Sequence, residues 1–189
     1  MTTSPICTAA IVSLLFLIGI ALLGDYYVSP DSLIPDVSLR LCLPSSEHLL
    51  GCDIHGVDLL YQLIAGAKTS FMVASVAVVL SLLIGVLVGL ISGYFQGTVD
   101  IILGQLIAIF MAFPGILLAM SMAAFMGPSR LSIICAIAAT GWTSSARLVR
   151  GETLRIINFE FIKAAESLGA SPWYILYKHI LPSISPLLL

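Results

Sequence analysis

Three long stretches of this chain contain no charged side chain: residues 69–99, 101–129 and 131–146. The first two exceed the roughly 20 residues that an α-helix needs to cross the hydrocarbon core of a bilayer, and the third approaches that length. Only 10% of the 189 residues are charged and 59% are hydrophobic, whereas soluble domains usually carry about 25% charged residues. One buried helix of a soluble protein can be equally apolar, but three such runs in succession indicate an integral membrane protein.

The spans predicted from these runs lie at about 70–93, 100–126 and 131–148. Another apolar run, 6–24, has no Lys or Arg before it and no evident cleavage site, so we interpret it as an uncleaved first span. Pro114 removes a backbone donor and is expected to kink the third span. The predicted fold class is all-α integral membrane: a polytopic helix bundle of four spans, with LPSISPLLL at the end resembling the start of a fifth.

The expected domains are 1–68, with the first span and an extracytoplasmic loop, and 69–189, a transmembrane domain truncated at its C-terminus. Basic residues near span ends favour the cytoplasmic side. Five of them flank or lie within the polar region after the fourth span, against three on the opposite side: Arg147, Arg150, Arg155, Lys163 and Lys178 against Arg40, Lys68 and Arg130. We therefore expect the polar region to be cytoplasmic and the acidic 25–68 loop to lie outside.

A row of small residues marks one face of the second span. Steps of four residues connect Ala77, Ser81, Gly85, Gly89 and Gly93. Residues i and i+4 share a helix face, so the row forms a flat strip that another helix can approach closely. A leucine at position 89 is expected to disturb packing, and a change at Leu90, on another face, is expected to be milder.

The spans lack the ionisable side chains that intramembrane catalysis or proton pumping requires. All three histidines, His48, His55 and His179, lie outside the predicted spans. The segment AGAKTS at 65–70 lacks the glycines of a phosphate-binding loop, and no strand precedes it. We predict no catalytic residue, no cofactor and no ATP site in the chain, so energy for transport must come from a partner. The net charge of −2 gives no reason to expect a nucleic-acid partner.

Residues of metal-binding types are concentrated in the loop segment 48–58, which contains His48, Cys52, Asp53, His55 and Asp58. Their spacing fits no closed four-ligand pattern, so we expect a solvated polar loop and predict no metal site. Cys42 and Cys52 share this loop, and the sequence is compatible with a disulfide or with two free thiols.

The polar segment 157–182 is predicted to form two short helices that meet at a sharp corner. The first carries one apolar stripe with i, i+3, i+4, i+7 spacing, made of Phe161, Ala164, Ala165 and Leu168. Gly169 follows at the place where helices commonly close with a left-handed residue. Small side chains beside a tight corner favour shallow docking into a groove of another protein; a plain connecting loop is the alternative.

The second helix of this segment has its own start signals. Ser171 is a natural N-cap, and Pro172 suits the first helical position. The helix is expected to run to about His179, after which Leu181-Pro182 turns the chain back toward the membrane.

This segment resembles the cytoplasmic loop of permease subunits of bacterial ABC importers, whose pattern is E-A-A-x-x-x-G, nine residues, then I-x-L-P. The matching residues are Ala164, Ala165, Gly169, Leu181 and Pro182, while Lys163 and His179 depart from the pattern. His-Ile-Leu-Pro is the form common in the peptide and nickel branch. The stretches HLLGCDIHGVDLLYQLIAGAKTSF, GLISGYFQGTVD, AFPGILLA and ARLVRGETL resemble the same branch.

The resemblance implies a multi-pass protein of the bacterial inner membrane that forms a translocation pathway and is not itself an enzyme. Its implied partners are cytosolic ATP-binding subunits, a second permease subunit and an extracytoplasmic solute-binding protein, with the lipid bilayer around it. Segment 157–182 would be the coupling helix-turn-helix that contacts an ATPase. Di- or oligopeptides are the expected substrates; nickel import and a truncated, non-transporting membrane scaffold are the alternatives.

Overall fold

The computed structural model describes residues 33–188, together with residues 18, 19 and 24. The chain divides into two compact units, the first ending at Ser75 and the second covering Val76–Leu189. Apart from an isolated bridge between Cys52 and Asp58, the described residues form helices and turns. The all-helical fold class is therefore confirmed. The predicted first span, 6–24, lies outside the described residues except at positions 18, 19 and 24.

Helices account for most of the described chain. Helix α1 is Leu59–Phe95, α2 is Gly97–Ala112, α3 is Gly115–Met126, α4 is Arg130–Ile156, α5 is Glu160–Ser167 and α6 is Pro172–Ile175. A π-helical turn, Leu176–Ile180, leads from α6 into α7, which is Leu181–Leu188. A short 3-10 turn, Val37–Leu39, precedes them in the loop of the first unit.

The long apolar helices extend beyond the predicted spans. Helix α1 begins at Leu59, and its 37 residues are about 55 Å long at 1.5 Å per residue, which exceeds the roughly 30 Å hydrocarbon core. Helix α4 continues past Arg147 and Arg150 to Ile156. By length and composition, two described helices can cross a membrane, or three if α2 and α3 together make one span. The count of four spans and a partial fifth stays a prediction.

Pro114 separates α2 from α3, and the two helix axes differ by 85°. Proline lacks the backbone N–H that would continue the α2 ladder, so the helix ends at Ala112 and restarts at Gly115. The connection from α3 to α4 is closed by a capping box, in which Ser129 and Ser132 each accept a hydrogen bond from the other's backbone N–H.

The main core of the second unit joins α1 and α4 to the polar segment. Its buried members are Leu90, Val149, Ile156, Ile162, Ile175, Leu176, Ile180 and Ile184. A smaller cluster of Ile107, Trp142 and Ala146 packs α2 on α4. Helix α4 therefore supplies side chains to both clusters and is the element around which this unit packs.

Candidate functional site

Helix α4 lies directly on the small-residue row of α1. A Cβ added at Gly89 would stand 2.6 Å from the Ala146 carbonyl oxygen and 2.7 Å from Val149 Cβ. Equally close atoms of α4 face Gly85 and Gly93, while Ala77 and Ser81 are buried farther along the row. The expected mild effect at Leu90 does not fit the structure, because Leu90 is only 7% exposed and belongs to the main core.

Helix α5 ends at a glycine corner. Gly169 has φ +82°, the left-handed region that glycine adopts without steric cost. Its N–H donates to the Glu166 carbonyl at 2.9 Å, and the Ala170 N–H donates to the Ala165 carbonyl at 3.1 Å. These two bonds form the closing pattern of a helix C-terminus and reverse the chain within a few residues.

The next helix starts immediately after this corner. The Ser171 hydroxyl accepts a hydrogen bond from the Tyr174 N–H at 3.3 Å, and Pro172 occupies the first turn. The corner between α5 and α6 therefore occupies only Leu168 to Ser171.

The expected turn at Leu181-Pro182 is wrong, because helical backbone continues from Pro172 to Leu188. A π-type bond from the Leu181 N–H to the Leu176 carbonyl precedes Pro182. The π turn ends at Ile180, and Pro182 follows it as the second residue of α7. Pro186 would leave the Pro182 carbonyl without its helical donor, and the Ser185 hydroxyl donates to it at 2.8 Å.

The predicted apolar stripe of α5 faces outward. Phe161 and Ala164 are exposed, Ala165 is half-buried, and Leu168 is 88% exposed. Together with two residues of the corner and two residues after it, these side chains line an open groove of about 490 Å³; the full lining is Phe161, Ala164, Ala165, Leu168, Gly169, Ala170, Tyr174 and His179. Of the predicted coupling residues, Ser171, Leu181 and Pro182 do not line it.

The opposite side of this segment is firmly packed. Ile162 of α5, Ile175 of α6 and Ile180 of the π turn are each fully buried in the main core. Fully burying one such side chain stabilises the packed state by about 1.5–3 kcal/mol. The groove therefore stands on a base of buried side chains that is continuous with α1 and α4.

Two contacts connect the end of α1 to the polar segment. The Tyr94 hydroxyl donates to Glu166 Oε1 at 3.2 Å, and the Phe95 ring lies edge-on to the Trp173 ring at 6.2 Å. Both pairs join the last turn of α1 to the glycine corner, one before the corner and one after it. A displacement of the corner would therefore change contacts at the end of α1.

A further polar cluster was not predicted from the sequence. Asp100 of α2 accepts two hydrogen bonds from the Arg150 guanidinium of α4, at 2.5 and 2.7 Å, and one from the Ser92 hydroxyl of α1 at 2.5 Å. Three helices therefore meet at one carboxylate. The available signal was that Asp100 is the only charged residue between positions 69 and 129, since a lone charge among apolar helices calls for a partner.

In the first unit, Cys42 and Cys52 form a disulfide with a Cα–Cα distance of 4.9 Å. His48 Nδ1 lies 2.9 Å from Asp58 Oδ2, and the other Asp58 oxygen caps α1 by accepting the Leu60 N–H at 2.8 Å. Burial raises the pKa of Asp58, but hydrogen bonds from His48 and from the first turn of α1 outweigh it and leave that pKa below its ordinary value. The loop is thus an ordered structure built on side-chain hydrogen bonds.

Residues 85–189 match the family described as binding-protein-dependent transport system inner membrane component. The chain belongs to this family. The matched range covers the three-helix contact at Asp100 and the whole of segment 157–182, and it leaves the loop of the first unit outside. This family consists of transport permeases and not of enzymes.

Three relatives show how similar this chain is to known transport permeases. The glutathione transport system permease protein of Pectobacterium atrosepticum is 39% identical over 139 residues, covering 74% of this chain and 46% of the relative. The dipeptide and oligopeptide transport system permease proteins of Bacillus subtilis are 34% and 37% identical, covering 95% and 74% of this chain and 56% and 46% of their own lengths. The chain thus spans about half the length of these relatives.

Proposed function

We propose that this chain is a permease subunit of an ABC importer for di- or oligopeptides in the bacterial inner membrane. It forms part of the translocation pathway, and segment 157–182 couples it to cytosolic ATP-binding subunits. The family assignment supports a role in binding-protein-dependent transport. The names of the three relatives, which specify glutathione, dipeptides and oligopeptides, favour peptides over nickel as the substrate class.

The observation that carries this proposal is the two-sided character of the coupling segment. One side contributes Ile162, Ile175 and Ile180 to the main core, and the other presents an open groove with Leu168 88% exposed at its rim. An apolar side chain left so exposed gains stability when a partner covers it. A connecting loop needs the buried side but has no use for the exposed one.

Energy coupling follows from the packing. An ATP-binding subunit that moves during hydrolysis would push or pull on the groove, and the buried isoleucines would carry that displacement to α1 and α4. Closely packed interiors transmit such displacements with little loss because they have low compressibility. The further partners in this proposal are a second permease subunit and an extracytoplasmic solute-binding protein.

The test uses Gly169→Asp and Ala164→Asp in the transporter co-expressed with its ATP-binding subunits. Ala164 is exposed in the groove, whereas Ala165 also packs against the main core, so position 164 separates docking from folding. Both variants are expected to remain in the membrane, to lose co-purification of the ATP-binding subunit at least about tenfold, which is about 1.4 kcal/mol, and to abolish peptide uptake.

Ser167→Ala is the matched control on the same helix. Its hydroxyl donates to the Lys163 carbonyl of its own helix, and Ser167 is not among the described residues that line the groove. This variant is expected to bind and transport as the parent chain does. Full ATPase binding by Ala164→Asp would reduce segment 157–182 to a connecting loop and would favour a non-transporting membrane scaffold.

A further inference from the structure

The loop of the first unit brings together three side chains of metal-binding type. The sulfur atoms of Cys42 and Cys52 and a ring nitrogen of His48 all lie within 4.8 Å of one another. This set differs from the cluster that the sequence suggested, because Cys42 lies outside segment 48–58 and two members of that segment are otherwise engaged. Asp53 accepts hydrogen bonds from the Val57 N–H and the Gln62 side chain, at 2.9 and 2.8 Å, and Asp58 is a partner of His48.

Backbone contacts hold the two cysteines next to each other independently of the disulfide. The Cys52 N–H donates to the Cys42 carbonyl at 3.1 Å, and Cys52 also pairs with Asp58 in the isolated bridge. Gly51 has φ +77°, and a Cβ there would stand 2.5 Å from the Cys42 carbonyl oxygen, so this tight approach requires glycine. The two cysteines would therefore stay adjacent after the S–S bond is opened.

One ring nitrogen of His48 is hydrogen-bonded to a carboxylate, a support that metal-binding histidines usually have. A carboxylate hydrogen-bonded to one ring nitrogen selects the tautomer, orients the ring and raises the basicity of the other nitrogen. Asp58 engages Nδ1 at 2.9 Å and is itself buried and held by the start of α1. An ordinary solvated histidine would have no such support.

We propose that the reduced form of this loop binds Zn²⁺ through Cys42, Cys52 and His48. A dithiol reductant first supplies two electrons and two protons, which convert the disulfide to two thiols while the reductant becomes a disulfide. Zn²⁺ then binds as two Cys S–H bonds lose their protons to solvent, so that two thiolates and one neutral imidazole surround the ion. Water completes the tetrahedron, a ligand set typical of zinc.

The geometry needed is within reach of small side-chain movements. With Zn–S bonds of about 2.3 Å, two sulfurs on one tetrahedral zinc are about 3.8 Å apart. Rotation about the cysteine Cα–Cβ bonds provides this separation while the backbone pairing of residues 42 and 52 persists. Zinc would then join the same two points of the loop as the disulfide, so the loop stays closed in either redox state. This inference is independent of the transport function.

The experiment uses the full chain in detergent with Cys7→Ser and Cys135→Ser, so that only the loop thiols respond. After reduction with a phosphine and removal of the reductant under argon, Zn²⁺ binding is measured by competition with a chromogenic chelator. We expect one Zn²⁺ per reduced chain and none per oxidised chain. Co²⁺ substitution is expected to give a thiolate-to-metal charge-transfer absorption.

His48→Ala is expected to weaken Zn²⁺ binding at least about tenfold, and Asp58→Asn by about 10–100-fold, as for other residues that orient a ligand. His55→Ala is the matched control, because this histidine lies in the same loop outside the ligand set. Equal Zn²⁺ binding by oxidised and reduced chains, or by the His48 and His55 variants, would overturn the proposal. X-ray absorption showing fewer than two sulfur ligands on the bound zinc would do so independently of any folding defect.

Discussion

Arg150 donates two parallel hydrogen bonds to Asp100, Nε to Oδ1 at 2.5 Å and Nη2 to Oδ2 at 2.7 Å. The two residues are fifty positions apart, and their pairing fixes the start of α2 against α4. Ser92 of α1 donates to the same carboxylate, so the contact also holds the tight turn at Gln96 and Gly97. Planar two-point recognition of this kind is specific to arginine, and a lysine provides only a point charge.

The first prediction concerns this pair. Arg150→Lys is expected to lower the free energy of unfolding of the second unit by about 1–3 kcal/mol, since one charge-assisted hydrogen bond is lost and Asp100 is only partly exposed. Thermal unfolding in detergent, followed by helical circular dichroism, measures it. The control is Arg155→Lys, whose own side chain is 63% exposed and pairs with Glu152 of the same helix, a pair that should contribute under about 0.5 kcal/mol. Equal effects of the two changes would contradict the prediction.

The second prediction uses two glycines of helix α1. Gly89→Ala places a methyl group 2.6 Å from the Ala146 carbonyl, so α1 and α4 must separate; overpacking of this kind usually costs about 1–3 kcal/mol. Gly66→Ala meets no atom of the described residues within 4 Å and is expected to stabilise the helix by about 0.5–1 kcal/mol through the entropy of the unfolded chain. Melting temperatures in detergent should shift in opposite directions, and a shared direction would contradict the packing of α4 on this row.

The third prediction concerns the pH dependence of the loop. Asp53 has its pKa lowered by hydrogen bonds from Gln62 and the Val57 N–H, and the pKa of Asp58 is also lowered. Because the folded pKa values lie below the ordinary 3.8, these carboxylates stabilise the loop fully above that value, and the contribution is lost as pH falls through the folded pKa. The amide resonances of Val57 and Leu60 should therefore titrate with midpoints below 3.8.

His48→Ala separates the two carboxylates in this titration. It removes a hydrogen bond that lowers the pKa of Asp58, so the Leu60 midpoint should move upward. The Val57 midpoint reports on Asp53, which has no bond to His48, and should stay in place. A parallel shift of both midpoints would show that the loop responds as a whole.

The fourth prediction tests the orientation drawn from the basic residues. Val37 and Leu168 are 78% and 88% exposed, so Val37→Cys and Leu168→Cys are matched in accessibility. In intact cells, with Cys7 and Cys135 replaced by serine, a membrane-impermeant maleimide should label position 37 and not position 168. Permeabilised cells should show labelling at both. Labelling of position 168 in intact cells would reverse the proposed topology.

Local signals in the sequence were sufficient for several features. The charge-free runs correctly predicted long apolar helices. Pro114 predicted the break between α2 and α3, because proline lacks the N–H of a helical hydrogen bond whatever its tertiary surroundings are. The capping residues Gly169 and Ser171 likewise act within a few positions along the chain. The resemblance to the family was visible in the sequence at Ala164, Ala165, Gly169, Leu181 and Pro182, and the family match over residues 85–189 confirms it.

Helix boundaries were less predictable because hydropathy marks the apolar part of a helix and not its ends. Helix α1 begins eleven positions before the predicted span, where Asp58 caps it, and α4 continues beyond the predicted end at 148 through Arg150 and Arg155. The continuation through Pro182 depends on a π turn whose stability comes from burying Leu176 and Ile180. No local rule predicts that packing contribution.

The sequence by itself determined that this protein has long apolar helices, and it determined the helical class, the family and the position of the glycine corner. Each of these depends on residue type or short spacing. Only the tertiary structure decided which glycines face α4 and that Leu90 is buried. It also decided that Asp100 pairs with Arg150 and that the disulfide between Cys42 and Cys52 lies close to His48. The physical reason is that these are contacts between distant positions. Which of many apolar or polar partners meet depends on how helices pack together, and that packing is a collective property of the whole unit.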